Sequence, residues 1–85
     1  MQIEIAKDAE KYISKLDKPT KKKIRDGILG LTESPPKGDI KPLQGRKGEY
    51  RLRLGKYRIL YKYSDSNVFK ILHINKVDSR GDVYK

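Results

Sequence analysis

The chain has 85 residues and a formal charge of +10, from 21 Lys and Arg against 11 Asp and Glu. That length supports one domain, residues 1–85, with one modest core, and the absence of cysteine excludes disulfides and thiolate metal sites. The opening MQIEIAKDAEKY has no apolar run after a basic one, and no stretch is long enough to cross a bilayer. A soluble, cytoplasmic protein with no membrane partner is therefore expected. The charge is concentrated: residues 37–63 hold nine Lys and Arg against two Asp and Glu. A basic surface interleaved with tyrosines favours a nucleic acid, with an acidic protein as the other class of partner.

Gln2 to Ala6 alternate polar and apolar residues, with Ile3 and Ile5 on one side, which predicts a short strand. From Lys7 the period becomes helical: Ala9, Tyr12, Ile13 and Leu16 share a face, and Asp8 and Glu10 suit the first turn. Asp17-Lys18-Pro19 ends this helix and opens a second, because Asp is a good N-cap and Pro fits only a first turn. The second helix is expected over Pro19 to Glu33, with Ile24, Ile28 and Leu31 buried and Leu29 at the margin. Gly27 and Gly30 weaken it by about 1 kcal/mol each, which reflects either close approach to a neighbour or simple tolerance. Its run Lys21, Lys22, Lys23 and Arg25 reads as a solvated face or a binding surface. Ser34-Pro35-Pro36 stops the helix. The segment to Gly48 has no periodicity and predicts a long loop, pinned by Ile40 and Leu43 and exposing Lys37, Lys41, Arg46 and Lys47 to phosphates.

The stretch EYRLRLGKYRILYKY, Glu49 to Tyr63, carries two runs of period two about Gly55-Lys56, the pattern of a hairpin. This turn sets Leu54 against Tyr57, Arg53 against Arg58, Leu52 against Ile59, Arg51 against Leu60 and Tyr50 against Tyr61. One face then holds Tyr50, Leu52, Leu54, Tyr57, Ile59 and Tyr61, and the other Arg51, Arg53, Arg58 and Lys62. Like charges facing across strands destabilise a sheet by roughly 0.2–1 kcal/mol, so Arg53 against Arg58 needs an offset. A bound polyanion would supply one; solvated arginine heads are the alternative. A turn at Ser64 to Asn67 leads to a third sheet strand, Val68 to Asn75, in a register that puts His73 opposite Arg58 and Ile71 opposite Leu60. The tail VDSRGDVYK brings Arg80 and Tyr84 to no place that spacing defines.

One His, no Cys and scattered acids give no metal-ligand spacing, and the chain has neither a P-loop nor a dinucleotide fingerprint, so no cofactor is expected. Arginine, lysine and tyrosine suit phosphoryl transfer from an RNA 2′-hydroxyl. The substrate there supplies the nucleophile, and fixed guanidinium groups stabilise the transition state.

The order of elements resembles the RelE/ParE superfamily of bacterial and archaeal type II toxins. The resemblance also rests on Leu43-Gln44-Gly45, the run Tyr50 to Tyr61 with its Gly-x-Tyr-Arg turn at Gly55 to Arg58, and the terminal Arg80-Gly81-Asp82-Val83-Tyr84. It implies an α+β fold, β-α-α-β-β-β, in which a two-helix hairpin packs on one face of a small, mainly antiparallel sheet. RelE-type members cut messenger RNA in the ribosomal A site and are neutralised by a cognate antitoxin. The resemblance implies that Arg58, Arg80 and Tyr84 are catalytic. It places Arg51 and Arg53 where the family has basic residues on the preceding strand, and the C-terminal segment near the basic face. Lys47 in the exposed loop, Lys56 in the hairpin turn and His73 beside the arginines in the expected register are the further substrate-side candidates. Two positions depart from the pattern: Ser79 stands where many relatives have His, and Lys56 where an acidic residue is common. A ParE-like toxin acting on DNA gyrase without cutting RNA is the alternative function, and an inactive antitoxin-binding relic a third.

Overall fold

The computed structural model describes residues 1–79. Its elements are β1 (Gln2–Ile5), α1 (Lys7–Ser14), α2 (Lys18–Gly30), β2 (Asp39–Pro42), β3 (Glu49–Leu54), β4 (Tyr57–Asp65) and β5 (Lys70–Ser79). The strands form one sheet in the order β1-β5-β4-β3-β2. β1 runs parallel to β5, and the other pairs are antiparallel. The α+β class and the two helices on a mainly antiparallel sheet are as expected, with one strand more.

The helices begin where local chemistry starts them. Asp17 caps α2, its carboxylate accepting from the Thr20 N–H at 3.2 Å, with Pro19 in the first turn. This bond, first among the causes, holds the Asp17 carboxyl below its ordinary range. α1 presents Ala9 and Ile13 inward, and α2 presents Ile24 and Ile28, with Leu31 buried just beyond its end. α2 stops three residues short of the expected Glu33, because the N–H groups of Thr32 and Glu33 turn back onto Leu29 and Gly30. Gly27 is explained by close approach, since an added Cβ would overlap Leu54, whereas the nearest atom to one at Gly30 lies at an ordinary 3.5 Å.

The β3–β4 hairpin has the register read from the sequence, residue for residue. Gly55 takes φ +59° at the first central position of the turn, a conformation that suits glycine. Leu52, Ile59 and Tyr61 are buried against Leu72, Ile74, Val77 and the helices. Tyr50, Tyr61 and Tyr63 pack ring to ring, with centroids 5.6 and 5.7 Å apart for Tyr50–Tyr61 and Tyr61–Tyr63. The Tyr63 hydroxyl donates to the Leu31 carbonyl at 2.7 Å, tying the end of α2 to β4. Burial, and then the neighbouring phenols, push the Tyr61 and Tyr63 hydroxyls above their ordinary range.

Two expectations are corrected. The segment before the hairpin contains β2, which pairs along β3 from Asp39↔Arg53 to Pro42↔Tyr50 and turns Ile40 toward the core. Leu43 is half-buried outside that core and bonds its N–H to the Glu49 carbonyl. The third expected strand is longer and shifted: β5 runs to Ser79 and pairs Arg58 with Asp78, Leu60 with Lys76 and Lys62 with His73. An irregularity between Leu60 and Tyr61 slips the ladder, and strand alternation alone cannot reveal such a slip.

Candidate nucleic-acid interface

With the apolar side chains of β3 and β4 turned to the helices, Arg51, Arg53, Arg58 and Lys62 stand on the opposite face. Pairing arranges that face in rows across the strands. One row reads Asp39, Arg53, Arg58, Asp78; the next Lys41, Arg51, Leu60, Lys76; the third Glu49, Lys62, His73, Glu4.

The first row resolves the repulsion between Arg53 and Arg58 within the chain, because a carboxylate closes each end. Asp39 lies 3.2 Å from Arg53 Nε and 3.7 Å from Arg51 Nη2. Asp78 takes the side of the Arg58 guanidinium in a fork, Oδ1 accepting from Nε at 3.2 Å and Oδ2 from Nη2 at 3.1 Å. No bound polyanion is needed to offset that pair. The second row differs in kind: three cations flank Leu60, and the row has no acid of its own. Lys41 and Lys76 are exposed, and Arg51 is largely covered.

Asp78 is 7% exposed, and Lys76 Nζ approaches its Oδ2 at 3.7 Å. The β1 pairing stops at Ile74, so the last part of β5 borders α1 rather than a strand. A cleft of about 430 Å³ opens there, lined by Asp8, Ala9 and Tyr12 of α1 and by Arg58, Lys76, Val77 and Asp78.

The fold thus brings Arg51, Arg53 and Arg58 together. Lys56 sits at the hairpin tip with its ammonium 5.5 Å from the Tyr57 ring centre. Lys47 is exposed in the loop ahead of β3, at the other end of that strand, beside a shallow recess lined by Leu43, Arg46 and Tyr50. His73 shares the face but does not stand opposite Arg58. Its Nε2 is 2.7 Å from Ser64 Oγ and its Nδ1 3.5 Å from Glu4 Oε1, so the ring is held from both sides. Arg80 and Tyr84 lie outside the described residues. Tyr50, Tyr61 and Tyr63 are committed to the inner face and leave the basic face without their rings. Among the described residues no group of three His, Cys, Asp or Glu could hold a metal, and no helix is long and apolar enough to cross a membrane.

Asp39, Lys76 and Asp78 are the side chains that sequence reasoning missed. The signal for Asp39 was the alternation of Asp39-Ile40-Lys41, obscured by Gly38 and Pro42 on either side. For Lys76 and Asp78 it was Val77 between two charged residues, which extends the strand by one more period.

This arrangement is that of a small toxin fold. The YoeB/ParE toxin from Agrobacterium tumefaciens superposes with a TM-score of 0.79 at 21% identity, covering 93% of this chain and 98% of its own, a likeness of fold. Toxin–antitoxin pairs share it: the archaeal RelE–RelB complex from Pyrococcus horikoshii OT3 matches with a TM-score of 0.67 and 31% identity over 94% of each chain. In sequence, the candidate toxin RelE1 of Methanocaldococcus jannaschii is 34% identical over 86 residues, covering 98% of this chain and 93% of the relative. The family described as the ParE toxin of the type II toxin–antitoxin system parDE matches residues 3–79. The chain belongs to the RelE/ParE superfamily of type II toxin–antitoxin toxins.

Proposed function

We propose that this toxin is a ribosome-dependent messenger RNA endonuclease of the RelE type. The observation that carries the reading is the face of the sheet opposite the packed side chains of α1 and α2, where the row of Lys41, Arg51 and Lys76 runs beside Arg53 and Arg58. Cations spaced along neighbouring strands can follow successive phosphates without reading bases. RelE1 as a sequence relative supports the same reading.

In this reaction an RNA 2′-hydroxyl gives up its proton as its oxygen bonds to the adjacent phosphorus. The P–O5′ bond breaks, and the departing 5′-oxygen takes a proton, leaving a 2′,3′-cyclic phosphate. Arg58 is assigned to the phosphoryl oxygens, where negative charge grows, and Arg51 and Arg53, with Lys56 and Lys47, to positioning the strand. His73, held by Ser64 and Glu4, is a substrate contact at the margin. Arg80 and Tyr84 complete the catalytic set by family resemblance. The neutralising partner is an antitoxin, as in the RelB–RelE complexes to which the fold is similar.

Primer extension on a defined messenger RNA in a translating extract tests this. The wild-type protein should cut within translated codons and leave naked RNA intact. Arg58→Ala should cut on the order of 10²-fold more slowly, the loss of one preorganised transition-state donor. Full cleavage by the variant would remove Arg58 from the mechanism. The match to the ParE family favours a second reading, a gyrase poison without nuclease activity. Its signature is growth arrest with a DNA-damage response and no messenger RNA cuts.

A further inference from the structure

The most informative contact on the basic face is the one that occupies Arg58. A guanidinium presents a planar fork that fits a carboxylate or a phosphate in the same way, through two parallel N–H···O bonds. Asp78 holds such a fork on the Nε and Nη2 edge, at 3.2 and 3.1 Å. Its Oδ2 also lies 3.7 Å from Lys76 Nζ, so one carboxylate oxygen sits between the two cations that border the cleft. Asp78 carries one negative charge, as a phosphodiester does, and is buried at the rim of that cleft. A phosphate arriving on the same edge while Asp78 remained would set two anions side by side in a partly desolvated place, which is costly. Exchanging one for the other conserves charge.

We infer that Asp78 is a built-in competitor for the RNA phosphate, a carboxylate that occupies the Arg58 phosphodiester site in the free toxin and must leave it when RNA binds. The inference rests on the reading of Arg58 as a phosphate contact and adds a gate to it. Rotation about the Asp78 side-chain bonds alone opens the fork and leaves the backbone pairs Arg58↔Asp78 and Ile59↔Val77 in place. The bracket at the other end of the row is weaker in form: Asp39 is shared between Arg51 and Arg53 and engages neither in a fork among the bonds and pairs described for it. Asp78 is therefore the acid whose removal matters most for anion binding.

The test is binding of a fluorescent single-stranded RNA with 2′-O-methyl sugars, which cannot be cut, to the full chain over a range of salt concentrations. Asp78→Asn keeps the size of the side chain and removes its charge. It should bind about tenfold more tightly, the release of one charge-assisted competitor, with a log–log salt slope close to that of the wild type, because the same phosphate contact at Arg58 is made in both complexes. Asp78→Glu should bind as the wild type does. In an Arg58→Ala background, Asp78→Asn should bring no gain beyond the small change that follows from net charge. Binding by Asp78→Asn that equals or falls below an Arg58-dependent wild type would overturn the gate and leave Asp78 as a positioning residue. Wild-type binding that is independent of Arg58 would overturn the phosphate site itself, and the gate with it. A measurement on the wild type needs no variant: in an NMR titration with the same RNA, the Arg58 Nε–H and the Asp78 carboxyl carbon should shift together. An Asp78 signal that stays fixed while Arg58 moves would place the phosphate on the other edge of the guanidinium and overturn the proposal.

Discussion

The two faces of the sheet are built from the same strands, often from adjacent residues, yet they hold together in opposite ways. On the inner face, Leu52, Ile59, Tyr61, Leu72 and Ile74 are within 1% of complete burial, and their contribution comes from apolar area removed from water and from close packing. On the outer face the cations are held by a few acids, Asp39 and Asp78 above all, and the stabilisation depends on charge pairing that a competing anion can replace. Packing of the first kind has no outside competitor, whereas pairing of the second kind does. The fold therefore keeps its rigid half under the helices and its exchangeable half toward the solvent.

The comparison breaks most severely from the inside. Leu52→Ala should destabilise the protein by about 2–5 kcal/mol, a large part of the roughly 4–13 kcal/mol expected of a domain of this size. Urea unfolding would measure it, with RNA binding scored only where the variant is folded.

A sharper version concerns Arg58. Its removal by Arg58→Ala takes the forked partner from the buried Asp78, leaving Lys76 Nζ at 3.7 Å, and should cost about 1–3 kcal/mol in the same assay. Combining it with Asp78→Asn should restore most of that stability without restoring cleavage. Stability unchanged by Arg58→Ala alone would mean that the pair holds no structural weight.

Smaller again is Tyr63→Phe, which removes the bond to Leu31 and should cost about 1 kcal/mol. The raised Tyr61 and Tyr63 hydroxyls mean that the folded state keeps protons that the unfolded chain releases near pH ~10. Their contribution is complete below that pH and is lost as pH climbs toward the folded values. Alkaline melting curves should fall less steeply for Tyr63→Phe than for the wild type.

The smallest effect belongs to Asp17, the exposed cap of α2. Its lowered carboxyl contributes fully above the ordinary carboxylate range, and that contribution is lost as pH falls through the lowered folded value. Asp17→Asn, which still accepts the Thr20 N–H, should flatten the acid limb of the melting midpoint slightly and leave the neutral value near the wild type.

Much of this was legible in the sequence for a physical reason. Period-two alternation around Gly55-Lys56 determined the hairpin register, because a slip of one residue would turn Leu52 and Ile59 to water and Arg53 and Arg58 into the core. Helical period, the Asp17 cap and Pro19 determined the two helices and their junction. What remained hidden were relations between elements distant in the chain. β2 is too short, and too hemmed by Gly38 and Pro42, to declare itself without its partner β3. The β5 register depends on a slip at Leu60/Tyr61 that leaves no mark in either strand. Sequence by itself placed the arginines on one face. Only the tertiary structure decided that Asp39 and Asp78 close the row they form, because a charge pair exists only when pairing brings its members within reach, and the chain between Arg58 and Asp78, twenty positions apart, carries no local signal of it.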